Sequence, residues 1–313
     1  MNKIAIICPY FGKFPSNIEL TLNSMGNNQF IDWFIFTDNS NNIKINEKFK
    51  NVNIINYTFD MFKELVKNKM STDIKNVYKI CDYKPTFGFL FKDYIKEYEF
   101  WGFCDLDVIF GNLKLFFNEE RLKKYYKIYD LGHLSIFKNC TETIEAFKEF
   151  NINTLNYKNL FNSEYIFVLD ETYDDLHQGI NGILKNMKLD IYEDRTEFAD
   201  IDIKYNNFYP HNLKKCKYYY FIYNNNNLYL KKYNDDKFNY KIAYIHLQQK
   251  KNIPVFCDDY DHFMILPKGF FNIKKVERKM FYKKNIKFVK YFKYRITKKI
   301  KNIKRNKEIG FHW

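Results

Sequence analysis

Two aspartates interrupt the most apolar stretch of the chain, FWGFCDLDVIFG at 100–111. A nearly continuous apolar run is typical of a central strand that is buried on both faces of a sheet. Asp105 and Asp107 are two positions apart, so on an extended chain both carboxylates project to the same side. Two unpaired carboxylates in a buried strand would be costly, and a cation that binds both removes that cost. The stretch therefore predicts a cation site where a buried strand ends.

The first part of the chain alternates strand-like and helix-like segments. Short runs rich in β-branched and aromatic residues predict strands at 3–8, 31–38 and 51–58, and apolar residues at helical spacing predict helices near 16–25 and 59–69. This alternation is typical of an α/β domain. Further on, we predict a helix over 84–98, one central strand over 100–111, a strand over 131–139 and a hairpin over 217–232 around an Asn-rich turn.

The D-x-D spacing has little weight without its context. Three such pairs occur, and chance alone predicts about 1.4 in a chain with this many aspartates. The other two pairs are Asp200 with Asp202 and Asp259 with Asp261. Only Asp105 and Asp107 interrupt a strongly apolar strand. Carboxylate oxygens prefer hard cations such as Mg²⁺ or Mn²⁺, which also bridge the phosphates of a substrate.

A histidine late in the chain is a further candidate ligand. His246 ends a short apolar run in AYIHLQQKK and is followed by Lys250 and Lys251. A neutral imidazole can complete a metal shell begun by carboxylates, and neighbouring lysines can neutralise a diphosphate. A histidine in an apolar strand is more often a hydrogen-bonded core residue. The assignment therefore depends on the partners of His246.

Two charged segments are further candidates for the site. Lys79, Asp82 and Lys84 lie in YKICDYKP, where charges near a helix start can orient a phosphate-bearing donor, although a solvated helix cap is the alternative. Asp170 and Glu171 follow an apolar run in VLDETYDD. Either carboxylate can act as a general base or bind acceptor hydroxyls.

The positive charge lies at the end of the chain. Residues 274–313 contain 16 Lys and Arg against two Glu, a balance of +14 that equals the net charge of the whole chain. The apolar positions recur there at intervals of three and four, at Val289, Phe292, Ile296, Ile300 and Ile303. A basic amphipathic helix favours an anionic membrane surface. The alternatives are a solvated helix packed on the domain and a nucleic-acid-binding tail, and a neutral remainder of the chain disfavours nucleic acid.

Other classes of protein lack support in the sequence. No stretch reaches the ~20 apolar residues of a membrane-spanning helix. The six cysteines are scattered without C-x-x-C spacing, which indicates reduced thiols in a cytosolic protein. The glycine-rich phosphate and dinucleotide motifs, the serine-hydrolase elbow and the H-E-x-x-H zinc motif do not occur.

Eight segments in this order resemble a family of bacterial GT-A glycosyltransferases encoded in capsule and lipopolysaccharide loci. They are KIAIICPYFGKFP, FIFTD, YKICDYKPTFGFLFKDYI, FWGFCDLDVIFGN, LGHLSIFKN, LDE, FADI and YIHLQ. The likeness covers about residues 1–250 and is most specific from Tyr78 to Asn112. It implies an α/β fold of the Rossmann-like GT-A type, a mixed sheet flanked by helices over 1–272, with 273–313 as a basic helical extension.

The resemblance implies transfer of a hexose from a nucleotide-sugar donor, expected to be UDP-linked, to an oligosaccharide or lipid-linked glycan acceptor. Mn²⁺ or Mg²⁺ would hold the donor diphosphate through Asp105, Asp107 and His246. We expect a cytoplasmic protein, peripheral on the inner face of the cytoplasmic membrane through its tail, that takes part in surface polysaccharide synthesis and binds no nucleic acid.

The resemblance also assigns residues to the donor and to the reaction. Those assigned to the nucleotide and its diphosphate are Pro9, Tyr10, Phe11, Thr37, Asp38, Lys79, Asp82, Lys84, Asp105 and either Lys250 or Lys251. The first three would line the nucleotide pocket, and the next two would lie near the base. Asp170 and Glu171 would face the transferred sugar or the acceptor. An inverting enzyme would need one of them as general base, whereas a retaining enzyme need not.

Overall fold

The computed structural model describes residues 3–43, 45–152, 155–171, 179–211, 213, 218–248, 253–283, 297 and 299. The strands in this part of the chain are β1 (Ile4–Pro9), β2 (Ile31–Thr37), β3 (Val52–Asn56), β4 (Phe100–Cys104), β5 (Val108–Phe110), β6 (Lys127–Ile128), β7 (Leu134–Lys138), β8 (Asn151–Ile152), β9 (Leu155–Asn156), β10 (Ile191–Tyr192), β11 (Phe198–Asp200), β12 (Tyr219–Asn224), β13 (Asn227–Lys232), β14 (Asp235–Ile242), β15 (Tyr244–His246), β16 (His262–Leu266) and β17 (Gly269–Asn272).

The α-helices within the same described ranges are short. They are α1 (Ile18–Gly26), α2 (Phe59–Met70), α3 (Ile80–Tyr83), α4 (Phe87–Leu90), α5 (Lys92–Ile95), α6 (Glu119–Lys124), α7 (Thr141–Glu145), α8 (Tyr157–Asn162) and α9 (Ile180–Asn186). Among these described helices, none has the length and apolar character needed to cross a membrane.

The central sheet has seven strands in the order β10-β6-β7-β4-β1-β2-β3. The four strands β3, β2, β1 and β4 run parallel, which is the strand order of a Rossmann-like nucleotide-binding sheet. Strand β7 runs antiparallel between β4 and β6, and β10 pairs in parallel with β6. The predicted α/β class, with a mixed sheet flanked by helices, is confirmed.

The alternation of side chains along β1 explains why this strand is apolar throughout. Ala5 and Ile7 belong to the apolar cluster that contains Phe62 of α2, whereas Ile4 and Ile6 belong to the cluster on the opposite face. The second cluster includes Leu22 and Met25 of α1. Successive side chains of a strand point to opposite faces, so a strand covered by helices on both sides must be apolar at every position.

The order of the strands defines where a ligand is expected. The chain passes from β1 to β2 on one side, while β4 lies on the other side of β1, so the strand order reverses between β1 and β4. In open α/β sheets the ligand binds outside the carboxyl ends of the strands at such a point. The residues that follow β1 and β4 directly are Tyr10 and Asp105.

Two smaller sheets extend the domain. Strands β11, β15 and β5 form a three-stranded sheet, and β14, β13, β12, β16 and β17 form an antiparallel sheet of five. Residues at the start of the basic extension pack on the larger of these two sheets. Phe281 is buried against Met264 and Leu266, and the backbone N–H of Tyr282 donates to Asn207 Oδ1 at 2.7 Å. The folded domain therefore includes residues beyond 272.

The predictions for the elements before 70 and for the hairpin are confirmed. Strands β1 to β3 and helices α1 and α2 lie where the sequence pattern places them, and β7 lies within 131–139. The hairpin is formed by β12 and β13. Its two turn residues, Asn225 and Asn226, have φ values of 45° and 63°. Positive φ at both central positions is what a tight hairpin turn requires, and asparagine adopts it more readily than most residues.

The prediction of one continuous helix over 84–98 is wrong. The segment consists of a 3₁₀ turn at Lys84–Thr86 followed by the single turns α4 and α5. Phe91, between them, has φ −106° and ψ 31°, outside the helical region. This break lets the ring of Phe91 pack 4.4 Å from that of Phe36. Burial of a large ring in the core outweighs the hydrogen bonds of a regular helix here.

The prediction of one central strand over 100–111 is also wrong. Strand β4 ends at Cys104, and the chain bends through 105–107 before β5 joins a different sheet by pairing with β15. The bend places the carboxylates of Asp105 and Asp107 at the end of the central sheet, where they contact Lys84 and His246.

Candidate metal and donor site

The bend between β4 and β5 brings the two aspartates to a histidine from a distant part of the chain. Strand β15 pairs with β5 so that His246 lies opposite Val108. His246 Nε2 lies 3.4 Å from Asp107 Oδ1 and 3.9 Å from Asp105 Oδ2. The ligand atoms of these three residues all lie within 4.8 Å of one another, a spacing that can hold a metal ion. The three residues predicted as metal ligands therefore lie together.

The electrostatics of this cluster favour a positive charge between the carboxylates. Burial by itself would lower the pKa of His246, but its hydrogen bonds with Asp107 and Asp200 raise it to about 10. Burial likewise would raise the pKa of Asp105, but Lys84 and His246 lower it below its usual value. Carboxylates that stay ionised while buried need a cation close by, either a proton on the imidazole or a metal ion.

Lys84 connects the aspartates to the predicted catalytic residues. Its ammonium group lies 2.9 Å from Asp105 Oδ1 and 3.1 Å from Asp170 Oδ2, and it donates to the carbonyl of Gly132 at 2.8 Å. The residue is only 7 % exposed. The burial of Lys84 disfavours its charge, but Asp105 and Asp170 raise its pKa well above the usual value. Lys84 is therefore a fixed positive charge inside the site.

Asp170 is buried beside Lys84, and its pKa lies near neutral pH. It is 4 % exposed, and its Oδ1 accepts no hydrogen bond from any residue that the structure describes. Burial raises the pKa of Asp170 to about 7, against the opposing effect of Lys84. A carboxylate with a pKa close to the working pH is suited to act as a general base.

Gly132 allows the two acidic residues to approach the sheet. Its N–H donates to Glu171 Oε1 at 2.9 Å. A Cβ at this position would lie 2.0 Å from Asp170 Oδ2, closer than any real contact. Any other residue here would displace Asp170, so the glycine is required by close approach and not by its backbone angles.

Lys79 and Asp82 lie beneath the site and hold its backbone. They are fully buried and pair with each other at 2.9 Å. The carboxylate of Asp82 accepts the N–H groups of Phe167 and Leu169 at 2.9–3.2 Å, and Lys79 donates to the carbonyl of Tyr165. The pair thus fixes the segment 165–169 that leads into Asp170. An effect of these two residues on the donor would be indirect in this geometry.

The segment that they hold includes a strained residue. Val168 has a φ of 55°, a conformation that β-branched residues rarely adopt. The Glu171 N–H donates to the Val168 carbonyl at 3.1 Å and closes a turn. Backbone strain of this kind persists only where the surroundings impose it, and it is common at functional sites. Here the turn directs Asp170 and Glu171 toward Gly132.

The residues after β1 lie at the carboxyl end of the central sheet. Pro9 ends β1, and the ring of Tyr10 stacks on that of Phe14 at 5.2 Å. Phe11 contacts the rings of Phe59 and Phe62 of α2, so this side chain is anchored in the core. Tyr10 and Phe11 are both half-buried.

The residues after β2 are tied to the same loop. Asp38 Oδ1 accepts the Gly12 N–H at 3.0 Å, and Asn39 Nδ2 donates to the Gly12 carbonyl at 2.6 Å. The Thr37 side chain is buried, and its hydroxyl accepts the Asn39 N–H at 3.2 Å. Asp38 is exposed. Lys250 and Lys251 lie outside the described residues.

Two residues in contact with His246, Asp200 and His133, are not among the predicted site residues. Asp200 Oδ1 lies 2.8 Å from His246 Nδ1, although Asp200 and Asp202 appeared to be a chance D-x-D pair. The ring of His133 packs 4.4 Å from that of His246, and burial lowers the pKa of His133 to about 3. Both contacts depend on pairings between distant strands, which no local pattern reveals.

The fold and the site define a mixed α/β domain with a carboxylate–imidazole cluster that could hold a metal ion at the carboxyl end of its central sheet. A family model described as "Family of unknown function (DUF6625)" matches residues 6–274, and the chain belongs to this family. No curated protein matches the sequence.

Three similar solved structures are glycosyltransferases, and each match covers 63 % of this chain. The galactosyltransferase LgtC in complex with donor and acceptor sugar analogues is 9 % identical, with 75 % of that chain covered and a TM-score of 0.33. The glycosyltransferase GlyE of Streptococcus pneumoniae TIGR4 is 14 % identical, with 46 % covered and a TM-score of 0.31. An active-site mutant of LgtC is 12 % identical, with 74 % covered and a TM-score of 0.30. The present chain thus spans less than half of GlyE, and similarity at this level assigns no activity to it.

Proposed function

We propose that this chain is a metal-dependent GT-A glycosyltransferase that moves a hexose from a UDP-sugar to an oligosaccharide or lipid-linked glycan. One observation carries the proposal. Asp105 and Asp107 after β4 face His246 from β15 at the point where the strand order of the sheet reverses. Oxygen ligands with one imidazole suit Mn²⁺ or Mg²⁺, and such ions bind diphosphates.

The donor set fits a dication on its own chemistry. Two carboxylates and one imidazole, from Asp105, Asp107 and His246, place their ligand atoms within 4.8 Å of one another. A bound dication would supply Lewis-acid stabilisation of the negative charge that develops on the departing diphosphate. Lys84 would add a second positive charge on the side of Asp170. Neutralising this charge is a principal requirement of transfer from a nucleoside diphosphate sugar.

Asp170 would serve the acceptor in an inverting transfer. The bond between the anomeric carbon and the phosphate oxygen breaks, the acceptor oxygen bonds to that carbon, and the acceptor proton passes to the Asp170 carboxylate. The buried position of Asp170 and its pKa of about 7 suit this role. Glu171, held by the Gly132 N–H, would bind acceptor hydroxyls. A retaining transfer would use the same two carboxylates to hold the sugar.

The experiment is a panel of UDP-sugars incubated with the full chain and Mn²⁺ or Mg²⁺, scored by release of UDP. We expect release with at least one hexose donor, loss of release on adding EDTA, and recovery when the metal ion is restored in excess. Release that is indifferent to EDTA would contradict the metal assignment. Failure of every nucleotide sugar would contradict the proposed reaction.

We also propose that the basic extension 273–313 attaches the enzyme to the anionic inner face of the cytoplasmic membrane, where lipid-linked glycans of surface polysaccharides are made. Its charge of +14 supports this, since each basic residue near an anionic surface adds about 1 kcal/mol of attraction. The apolar positions 289, 292, 296, 300 and 303 that would enter the membrane lie outside the described residues.

The test is a truncation after residue 283, which keeps the packed residues Phe281 and Tyr282. We expect the full chain to sediment with vesicles containing anionic lipid but not with neutral vesicles. The truncated chain should lose this binding and keep its hydrolysis of a soluble donor. Equal binding of both chains would contradict the proposal, and tight RNA binding that requires the tail would favour a nucleic-acid-binding protein instead.

A further inference from the structure

We infer that Asp200 positions His246 for metal binding by fixing the proton of the imidazole on Nδ1. This inference rests on the proposed metal site and assigns a role to a residue outside the ligand set. Parallel pairing of β11 with β15 places Asp200 directly beside His246. Asp200 Oδ1 lies 2.8 Å from His246 Nδ1, and the two side chains are only 13 % and 12 % exposed.

The hydrogen-bond pattern determines which nitrogen carries the proton. An ionised carboxylate only accepts hydrogen bonds, so in the contact with Asp200 the Nδ1 atom of His246 must be the donor. Gln248 Nε2 donates to the same Asp200 oxygen at 2.7 Å, which holds the carboxylate in place from a second direction. Gln248 has a φ of 50°, a strained conformation. The strain indicates that this end of β15 is held in its shape.

A proton on Nδ1 directs the other nitrogen at the aspartates. Nε2 faces Asp107 Oδ1 at 3.4 Å and Asp105 Oδ2 at 3.9 Å. A lone pair that faces two carboxylates is unfavourable unless a proton or a metal ion lies between them. Metal-bound histidines commonly donate their second ring N–H to a carboxylate, which orients the ring and raises its basicity. Asp200 makes that contact here.

A second group of possible ligands shares the same histidine. His133, Asp200 and His246 also have ligand atoms within 4.8 Å of one another. The rings of His133 and His246 are tilted by 32° with centroids 4.4 Å apart. Nitrogen lone pairs lie in the plane of the ring, so two rings that overlap at this distance direct few of them toward one shared ion. We therefore assign His133 to packing, where it restrains the rotation of His246.

The experiment measures Mn²⁺ binding directly, from the loss of the free-ion EPR signal, with Mn²⁺ alone and with Mn²⁺ and UDP. The variants are Asp200→Asn, Asp200→Glu, His133→Phe and the control Asp202→Asn. Asp202 lies two residues away, and its carboxylate accepts the Lys204 N–H and lies 3.7 Å from His211 Nδ1. Phenylalanine suits position 133 because the ring already packs edge-on against Phe198 and Tyr244.

We expect Asp200→Asn to weaken Mn²⁺ binding about 10–100-fold, the usual cost of losing such a partner. Asp200→Glu should recover part of the loss, because it restores a carboxylate. Asp202→Asn and His133→Phe should bind within about threefold of the wild type. Asp200→Asn also weakens the contacts with His246 and Gln248, so binding is measured well below the metal-free melting temperature of each variant, which separates a change in the ligands from unfolding.

Two results would contradict the positioning role of Asp200, and one would contradict the metal site itself. Wild-type affinity in Asp200→Asn would overturn the positioning role and leave the proposed function standing. Loss of binding in His133→Phe would place the ion on the His133 side and also overturn it. A wild-type chain that binds no Mn²⁺, with or without UDP, would instead contradict the metal site of the proposed function.

Discussion

The pairs Asp105 with Asp107 and Asp259 with Asp261 share one spacing but differ in their surroundings. The side chains of Asp105 and Asp107 are 34 % and 10 % exposed, whereas those of Asp259 and Asp261 are 52 % and 37 % exposed. The second pair lines an open groove of about 740 Å³ away from the central sheet. The same pattern therefore occurs once at the end of a buried strand and once in a surface turn.

The hydrogen-bond partners explain the difference. Asp259 Oδ1 accepts the N–H groups of Asp261 and His262 at 2.9 and 3.0 Å. Asp261 Oδ1 accepts the side-chain amides of Asn23 and Asn27 at 3.0 and 3.1 Å. Amide donors thus satisfy one oxygen of each carboxylate, and the exposed side chains of His262 and Lys48 contact the other oxygens at 3.0 and 3.4 Å. The pair forms a surface turn and requires no added cation.

The charged partners of Asp105 and Asp107 are largely buried. Among the described residues, the side-chain contacts of Asp105 and Asp107 are with Lys84 and His246, whose side chains are 9 % and 12 % exposed. The comparison shows that the burial of the charged partners around a D-x-D pair, and not the spacing, distinguishes the candidate cation site from the turn. Four experiments can break or sharpen this distinction.

The largest expected effect separates the two pairs by activity. Asp107→Ala should lower kcat/KM for the sugar donor about 10³-fold, because loss of a metal ligand removes several kcal/mol of charge stabilisation. The matched change Asp259→Ala should leave kcat/KM within about twofold. Steady-state UDP release measures both, and comparable losses in the two variants would remove the distinction.

The second largest expected effect is on stability and concerns Asp82, an aspartate in a buried ion pair. Asp82 is fully buried with one cation, Lys79, and backbone N–H groups. Asp82→Asn should lower the free energy of unfolding by about 3 kcal/mol, because it leaves a buried ammonium without its counter-charge. The double variant Lys79→Met with Asp82→Asn should lose less than Asp82→Asn alone. Denaturant unfolding measures the difference, and equal losses would argue against an uncompensated charge.

The pH dependence of the reaction is the third test. Burial raises the pKa of Asp170 to about 7, so the carboxylate that accepts a proton forms as the pH rises through 7. For an inverting transfer, kcat/KM should rise about tenfold from pH 6 to pH 8 and then level off. The pKa of Asp259 is lowered by its bond with the Asp261 N–H, so the surface pair stays ionised over this range. A flat profile, at constant metal saturation, would argue against Asp170 as the base.

The smallest effect concerns the surface pair itself. Asp261→Ala removes the amide contacts of Asn23 and Asn27 and an exposed ion pair with Lys48 at 3.4 Å. Exposed pairs contribute less than about 1 kcal/mol, so the urea midpoint should change only slightly and activity should not change. A loss of activity would show that the open groove serves the reaction.

Much of the fold follows from local pattern. The runs that became β1, β2 and β3 are continuous or alternating in their apolar residues, and the period of α2 is regular, so each could be predicted from its own segment. The separation of the 100–111 run into two strands could not, since β5 leaves the central sheet to pair with β15, more than a hundred residues away. Likewise, the helix break at Phe91 is set by the ring of Phe36 and not by the segment itself.

The site divides in the same way. Asp105 and Asp107 could be predicted because they are charged residues in an apolar run. Asp170 and Glu171 could be predicted because they belong to a cluster of carboxylates that follows an apolar run. Asp200 has no such signal, because its role depends on the register that places it beside His246. The need for Gly132 is equally invisible in sequence, since it arises from the approach of Asp170 across the fold.

The three contacts of Lys84 suggest a final consequence, for the order in which substrates enter. Its ammonium group contacts Asp105, Asp170 and the carbonyl of Gly132. A dication bound to Asp105 would weaken the contact between Asp105 and Lys84. Lys84 would then interact more strongly with Asp170 and favour the ionised form of Asp170. Arrival of the donor would thereby prepare the acceptor side, and we expect ordered kinetics in which the sugar nucleotide binds first.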